Sequence, residues 1–145
     1  MIAVDTNLLV YAHREDSEWH ERSLAILLGL ANGTQRWAIP WPCVHEFFAI
    51  VTHRRIYREP SNSAQATAAI DAWSASPVLE FLHESPTYWG TLTRLIDAGR
   101  IRGPMIHDAR IAAICIDNGA TELLSADRDF SRFAGLVVRN ALLAS

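Results

Sequence analysis

The sequence predicts an α/β fold, in which helices flank a central parallel β-sheet. Short apolar segments alternate with helical patterns along the chain, as expected when parallel strands are joined by helical crossovers. Acidic residues follow two of the apolar segments directly, where the carboxyl ends of strands in such sheets bind their ligands. A chain of 145 residues, half of them hydrophobic, can bury one core. We therefore expect a single domain over residues 1–145.

The first half of the chain predicts two strands and three helices. Residues 1–4 are apolar and predict a short buried strand, and helical patterns follow over residues 7–13 and 17–31. In the longer of these patterns, apolar residues recur at the i, i+3, i+4, i+7 spacing of one helix face. Residues 36–39 predict the second strand. Pro42 opens the next helix, because its missing N–H is not needed in a first helical turn.

The second half continues the alternation. Ser63 is the predicted N-cap of an alanine-rich helix that ends near residue 73, since a serine hydroxyl accepts a backbone N–H of the first turn. The remaining predicted elements are strands over residues 78–82, 121–124 and 136–138, and helices over residues 85–99 and 109–118.

Composition excludes several classes of protein. All 13 basic residues are arginine, so P-loop NTPases, Schiff-base enzymes, Ser–Lys hydrolases and protein kinases, which need a lysine, are excluded. Cys43 and Cys115 lie far apart, which excludes a disulfide scaffold and a cysteine zinc site and is typical of the reducing cytoplasm. No apolar run approaches the roughly 20 residues that span a bilayer. We expect a cytoplasmic protein with no membrane partner.

Five carboxylates occupy positions at which such a sheet binds its ligand. Asp5 follows the first strand, Asp127 and Asp129 follow the fourth, and Glu46 and Asp108 lie near helix starts. Each of the last four also has an ordinary explanation, as an N-cap, a first-turn acid or a turn residue. Asp5 is harder to explain, because an unpaired carboxylate at the end of a buried strand is costly.

Several carboxylates in one crevice need a cation, because each raises the pKa of the others. Arg110 or Arg128 could pair with one of them, but not with four. Oxygen ligands without a cysteine or histidine cluster suit Mg²⁺ or Mn²⁺. In such a site, the metal activates a water molecule and holds a phosphate.

Four segments, in this order, resemble the PIN-domain ribonucleases, and specifically the VapC-type toxins of bacterial toxin–antitoxin pairs: Ile2-Ala3-Val4-Asp5-Thr6-Asn7, Val44-His45-Glu46-Phe47, His107-Asp108-Ala109-Arg110-Ile111-Ala112-Ala113 and Ser125-Ala126-Asp127-Arg128-Asp129-Phe130. The resemblance covers residues 1 to about 140. It implies a parallel sheet of strand order 3-2-1-4-5 and a metal-dependent endoribonuclease that hydrolyses RNA phosphodiester bonds, leaving a 5′-phosphate and a 3′-hydroxyl.

The resemblance also assigns roles to residues. It implies that four acids bind Mg²⁺ or Mn²⁺ and carry catalysis: Asp5, Glu46, Asp108 and Asp127. Asp129 matches a fifth, less constant acid, which we place outside the metal ligands. Ser125 stands where the family often has threonine and keeps the hydroxyl. Thr6 and Asn7 are expected to support the turn after the first strand.

Arginines outside the crevice are the predicted RNA contacts. Without the five crevice acids, 11 of the 16 acids remain against 13 arginines, so the rest of the surface is slightly basic. Arginine suits bidentate phosphate contact, and the candidates are Arg54, Arg55, Arg58, Arg100 and Arg102. For the first three, a solvated helix end is an equally good explanation. Trp41 could stack an unpaired base, and packing explains it as well.

The resemblance implies partners: a VapB-type antitoxin whose C-terminal segment covers the crevice, an RNA substrate (tRNA, rRNA or mRNA) and a second copy of the chain in a homodimer. Two alternatives stay open. One is a PIN-like module that binds RNA or a partner without cutting. The more remote one is a Mg²⁺-dependent phosphohydrolase with an aspartate nucleophile, whose commonest form has an aspartate where this chain has Asn7 and needs a lysine.

Overall fold

Five parallel strands form one sheet of order β3-β2-β1-β4-β5 in the computed structural model, which describes residues 1–143. The strands are β1 (Ile2–Val4), β2 (Trp37–Pro40), β3 (Leu79–Leu82), β4 (Glu122–Leu124) and β5 (Val137–Arg139). Ile2 of β1 lies beside Trp37 on one side and Glu122 on the other. The carboxyl ends of β1, β2 and β4 therefore meet at one edge of the sheet. The predicted fold class and strand order are confirmed.

Six α-helices flank the sheet in the described part of the chain: α1 (Thr6–His13), α2 (His20–Asn32), α3 (Trp41–Val51), α4 (Ser63–Ser74), α5 (Tyr88–Gly99) and α6 (Ile106–Asp117). Short 3₁₀ helices precede α6 at Gly103–Met105 and follow β4 at Arg128–Arg132. None of the helices within residues 1–143 combines the length and apolar character that a bilayer span requires.

Several helix starts differ from the sequence prediction. The helix α5 begins at Tyr88 and not at residue 85, and α6 begins at Ile106 and not at residue 109. Two further differences have a visible physical reason. The helix α2 begins three residues later than its spacing predicts, because the hydroxyl and the carbonyl of Ser17 accept N–H groups in a separate turn. The N-cap of α4 is Asn62 and not Ser63. The Asn62 side chain accepts the N–H of Gln65, and the Gln65 side chain accepts the N–H of Asn62. This reciprocal capping box satisfies two backbone donors, which a lone serine cap would not do.

The core lies on both faces of the central strands. Ala3 and Val4 of β1 are fully buried, and so is Trp37 of β2, whose indole N–H donates to Ser76 Oγ at 3.2 Å. Burial of each large apolar side chain stabilises the fold by about 1.5–3 kcal/mol. Because β1 is covered on both faces, the residue that follows it, Asp5, is also in the protein interior.

Candidate active site

Asp5 is a buried carboxylate at the carboxyl end of β1, where it forms the N-cap position of α1. The residue is only 4% exposed. Ser125 Oγ donates a hydrogen bond to Asp5 Oδ2 at 2.7 Å, and Cys43 Sγ lies 3.5 Å from Oδ1. Burial raises the pKa of Asp5 to about 6, against the opposing effect of the Ser125 hydrogen bond, and repulsion from Glu46 adds to the increase. The hydrogen bonds to Asp5 therefore do not fully offset the cost of burying its ionised form.

Glu46 is held next to Asp5 by a hydrogen bond between helices. Thr6, the first residue of α1, donates from Oγ1 to Glu46 Oε2 at 2.7 Å. The explanation of Glu46 as a first-turn acid is wrong, because α3 begins at Trp41 and its first turn contains no acid. The position of Glu46 is thus fixed by a specific contact with the start of α1.

Three further carboxylates converge at the same edge of the sheet. Asp108, Asp127 and Asp129 each offer a carboxylate oxygen, and these oxygens lie within 4.8 Å of one another. Burial raises the pKa of Asp108 to about 6, and repulsion from the other acids adds to it, with Asp127 the largest contributor, followed by Asp5, Asp129 and Glu46. All five predicted acids therefore interact in one acidic crevice. Within residues 1–143, the group whose oxygens lie this close together includes Asp129, which was predicted to lie outside the metal ligands, and does not include the predicted ligands Asp5 and Glu46.

The structure rules out the N-cap explanation for Asp108 and supports a local structural role for Asp127. Asp108 is not an N-cap, because Met105 holds that position and Asp108 lies in the first turn of α6. Asp127 does cap the 3₁₀ helix after β4, since its Oδ1 accepts the N–H of Asp129 at 2.9 Å. This hydrogen bond orients the Asp127 carboxylate. It does not prevent the same carboxylate from binding a metal ion.

The polar residues predicted to support the acids make direct contacts with them or with their loops. Ser125 is almost fully buried and links two acids, because its Oγ donates to Asp5 and accepts the N–H of Asp127 at 3.0 Å. Asn7 Oδ1 accepts the N–H of Ala126 at 3.2 Å. The start of α1 and the loop after β4 are thereby held together.

Arginines near the acidic crevice are engaged elsewhere or only reach its rim. Arg110 pairs with Glu84 at 2.7 Å. Arg132 lies 3.8 Å from Asp129 Oδ1 and donates to the Asp129 carbonyl at 3.1 Å. In the described residues, the ion pairs include none between an arginine and the other four crevice acids. The sequence analysis missed Arg132, although its i, i+3 spacing from Asp129 was a usable signal.

The predicted RNA-contacting arginines are all exposed and lie in two segments. Three of them form the arginine loop after α3, and two precede α6: Arg54, Arg55 and Arg58, and Arg100 and Arg102. The arginine loop is held through Tyr57, whose ring lies 4.0 Å under the Arg14 guanidinium. Arg14 follows the end of α1, whose eight residues rise about 12 Å along the helix axis from the start near Asp5.

Comparisons with known proteins agree with this architecture. The family model of the PIN domain matches residues 2–136. Ribonuclease VapC43 of Mycobacterium tuberculosis is 37% identical over 142 residues, which cover 98% of this chain and 96% of that protein. Ribonuclease VapC33 of the same organism is 32% identical over 136 residues, which cover 94% of each chain.

Solved structures share the fold. The crystal structure of Mycobacterium tuberculosis VapC20, described as a sarcin-ricin loop cleaving toxin, has a TM-score of 0.67 at 20% identity and covers 94% of this chain and 97% of that one. VapBC2 of Rickettsia felis, bound to a DNA fragment from its promoter, has a TM-score of 0.62 at 24% identity, with 96% and 98% covered. With the five-stranded sheet and a match over residues 2–136, the chain belongs to the PIN-domain family.

Proposed function

We propose that this chain is a metal-dependent endoribonuclease and the toxin of a toxin–antitoxin pair. One observation carries the proposal: five carboxylates share a crevice in which the described residues provide no arginine partner for four of them. The similarity to ribonucleases VapC43 and VapC33 supports RNA as the substrate. Four acids would bind the metal: Asp5, Glu46, Asp108 and Asp127.

The donor set fits a hard divalent cation. The carboxylate oxygens that converge within 4.8 Å belong to Asp108, Asp127 and Asp129, and oxygen donors are those that Mg²⁺ and Mn²⁺ prefer. Burial is the main cause of the raised pKa values of Asp5 and Asp108, and repulsion from the other acids adds to it; a dication bound there would favour the ionised form of both groups. Such an ion, when bound, lowers the pKa of a coordinated water molecule and stabilises charge on a phosphate.

The protein's own residues hold the carboxylates in place for this chemistry. Ser125 fixes Asp5 and orders the backbone at Asp127 with one hydroxyl. Thr6 orients Glu46. Because these supporting groups lie on α1 and on the loop after β4, the carboxylates from different elements keep their relative positions without a bound ligand. Asp129 completes the rim and positions Arg132.

RNA and an antitoxin are the proposed partners. The exposed arginines of the arginine loop, together with Arg100 and Arg102, would contact RNA phosphates. A VapB-type antitoxin would inhibit the enzyme by presenting a basic side chain to the unpaired carboxylates, since charge-assisted hydrogen bonds of this kind are strong. We also propose that the chain acts in the cytoplasm and forms a homodimer.

The test is cleavage of total bacterial RNA by the purified chain, with Mg²⁺, with Mn²⁺ and with a chelator, beside the Asp5→Asn variant. We expect fragments only when both metal and Asp5 are present. Wild-type cleavage by Asp5→Asn would show that the acids are assigned wrongly. If neither RNA cleavage nor metal binding by calorimetry is detected, the PIN-like module that binds without cutting becomes the better explanation.

A further inference from the structure

We propose that Trp41 and His45 form a stacking surface that holds an unpaired base of the RNA substrate beside the acidic crevice. This aromatic surface is distinct from the carboxylates and from the arginines considered above. The proposal rests on the proposed ribonuclease function and adds a residue pair that positions the substrate.

The aromatic surface is rigid. Trp41, the first residue of α3, stacks on Phe81 of β3 with ring centroids 4.5 Å apart and an interplanar angle of 20°. His45 lies one helical turn later, 6.2 Å from the Trp41 ring and inclined by 30°. Phe81, which is partly buried, and His45, which is exposed, thus both pack against the Trp41 ring. Because Phe81 fixes the indole plane, stacking a base on Trp41 would cost the protein little conformational entropy.

The aromatic surface lies at the same edge of the sheet as the proposed metal ligands. Glu46 directly follows His45, and it lies about 7.5 Å from Trp41 along the axis of α3. Trp41 itself follows β2, whose carboxyl end meets that of β1 and therefore lies near Asp5. A nucleotide whose base lies on this surface would have its phosphate at the edge of the sheet where Asp5 follows β1.

A role in core packing accounts for Trp37 but not for Trp41, which is partly exposed. Trp37, four residues earlier, is fully buried and its N–H donates to Ser76 Oγ. Trp41 is 38% exposed, and within residues 1–143 its indole N–H makes no side-chain hydrogen bond. A partly exposed aromatic ring with such an N–H donor has the features with which aromatic side chains bind unpaired bases. Arg100 and Arg102, which are exposed and precede the start of α6 where Asp108 lies, and a metal ion in the proposed site would both attract a phosphate backbone, which favours RNA over an apolar protein segment as the occupant.

The experiment measures RNA binding and cleavage in matched variants. The probe is a single-stranded RNA dodecamer of mixed sequence that contains 2-aminopurine, whose fluorescence is quenched by stacking. Binding is measured in the Asp108→Asn background, which we expect not to cut the probe. We expect Trp41→Ala to weaken binding roughly 5- to 150-fold, the range for one stacked base, and to abolish part of the quenching. Trp41→Phe should recover most of both.

Controls separate stacking from folding. Trp89 is another exposed tryptophan, on α5 and 67% exposed, and Trp89→Ala should leave binding within twofold. His45→Ala removes an exposed ring that contributes little to the core, so it should weaken binding without lowering the unfolding temperature. Equal unfolding temperatures of Trp41→Phe and the wild type would confirm that the comparison is made between folded proteins.

The outcomes separate the two proposals. If the wild type cleaves RNA and Trp41→Ala and His45→Ala bind and cleave as it does, the stacking proposal is overturned, the ribonuclease proposal stands, and a protein partner becomes the better occupant. If the wild type neither binds the probe nor cleaves RNA with metal, both proposals fail. Cleavage by the wild type with loss of binding in Trp41→Ala and recovery in Trp41→Phe supports both.

Discussion

Asp5→Asn should stabilise the metal-free protein while it abolishes metal-dependent cleavage. The reason is the buried position of Asp5, whose ionised form has no cationic partner among the ion pairs of residues 1–143. An asparagine keeps an oxygen that can accept the Ser125 hydrogen bond and carries no charge. Stability and activity therefore change in opposite directions at this residue.

The magnitude follows from the pKa of Asp5. Folding raises it from 3.8 to about 6, and each pKa unit corresponds to about 1.4 kcal/mol. Ionised Asp5 therefore lowers the free energy of unfolding by about 3 kcal/mol at pH 8. The cost appears as pH rises from about 4 to 6, because the folded state binds more protons than the unfolded state in that window. Below pH 4 both states are protonated and the effect is lost.

The assay is urea unfolding of the wild type and Asp5→Asn at pH 4 and pH 8 in chelator. We expect the variant to be more stable at pH 8 by up to about 3 kcal/mol and nearly equal at pH 4. Asp117→Asn is the matched control with the opposite sign. Burial opposes ionisation of Asp117, but hydrogen bonds from Ser85, Thr91 and Thr87 outweigh it and hold the pKa of Asp117 below its ordinary value. Asp117→Asn should therefore destabilise at pH 8.

Metal provides a second readout in the same assay. For a dissociation constant of about 1 mM, 10 mM Mg²⁺ stabilises the folded state by about 1.4 kcal/mol. We expect this increase in the wild type and not in Asp5→Asn. A variant that is less stable than the wild type at pH 8 in chelator would refute the argument that Asp5 is an undercompensated charge.

Three further predictions concern neighbouring groups. Ser125→Ala should lower metal affinity 10- to 100-fold, the usual range for a group that orients a ligand, and Ser125→Thr should recover it in a calorimetric titration. Asp129→Asn should slow cleavage less than Asp108→Asn, because the Asp129 side chain is 66% exposed and lies at the rim; the reverse ranking would make Asp129 a metal ligand. Replacing the three arginines of the arginine loop with alanine should reduce the slope of log affinity against log salt by about 2, since each phosphate contact on single-stranded RNA contributes about 0.7. An unchanged slope would leave these arginines as surface residues only.

The elements and the location of the acids could be predicted because both depend on local pattern. An apolar segment followed by Asp5 indicates a strand end, and parallel strands bring their carboxyl ends to one edge. The capping residue of α4 could not be predicted from Ser63 alone. Asn62 and Ser63 are both good caps, and only the Gln65 side chain, three residues after Asn62, completes the capping box.

Side-chain partners distant in sequence could not be predicted. The hydrogen bond from Thr6 to Glu46 joins residues 40 apart, and the one from Ser125 to Asp5 joins residues 120 apart. Neither pair has a characteristic sequence spacing from which the contact could be predicted. The pairing of Arg110 with Glu84 is of the same kind, and it decides that Arg110 does not neutralise the crevice.

The charge of the acidic crevice would let one site accept both the proposed metal and the proposed antitoxin side chain. An arginine of the chain itself among these acids would stabilise the fold, but it would also occupy the carboxylates that the metal needs. Arg110 is instead held by Glu84, and Arg132 reaches only the exposed Asp129. Burial, with repulsion among the acids added to it, raises the pKa of Asp5 and Asp108, and a divalent cation in the proposed site would offset both effects. A basic side chain of an antitoxin would meet the same charge, so it would compete with the metal and stabilise the folded chain at once.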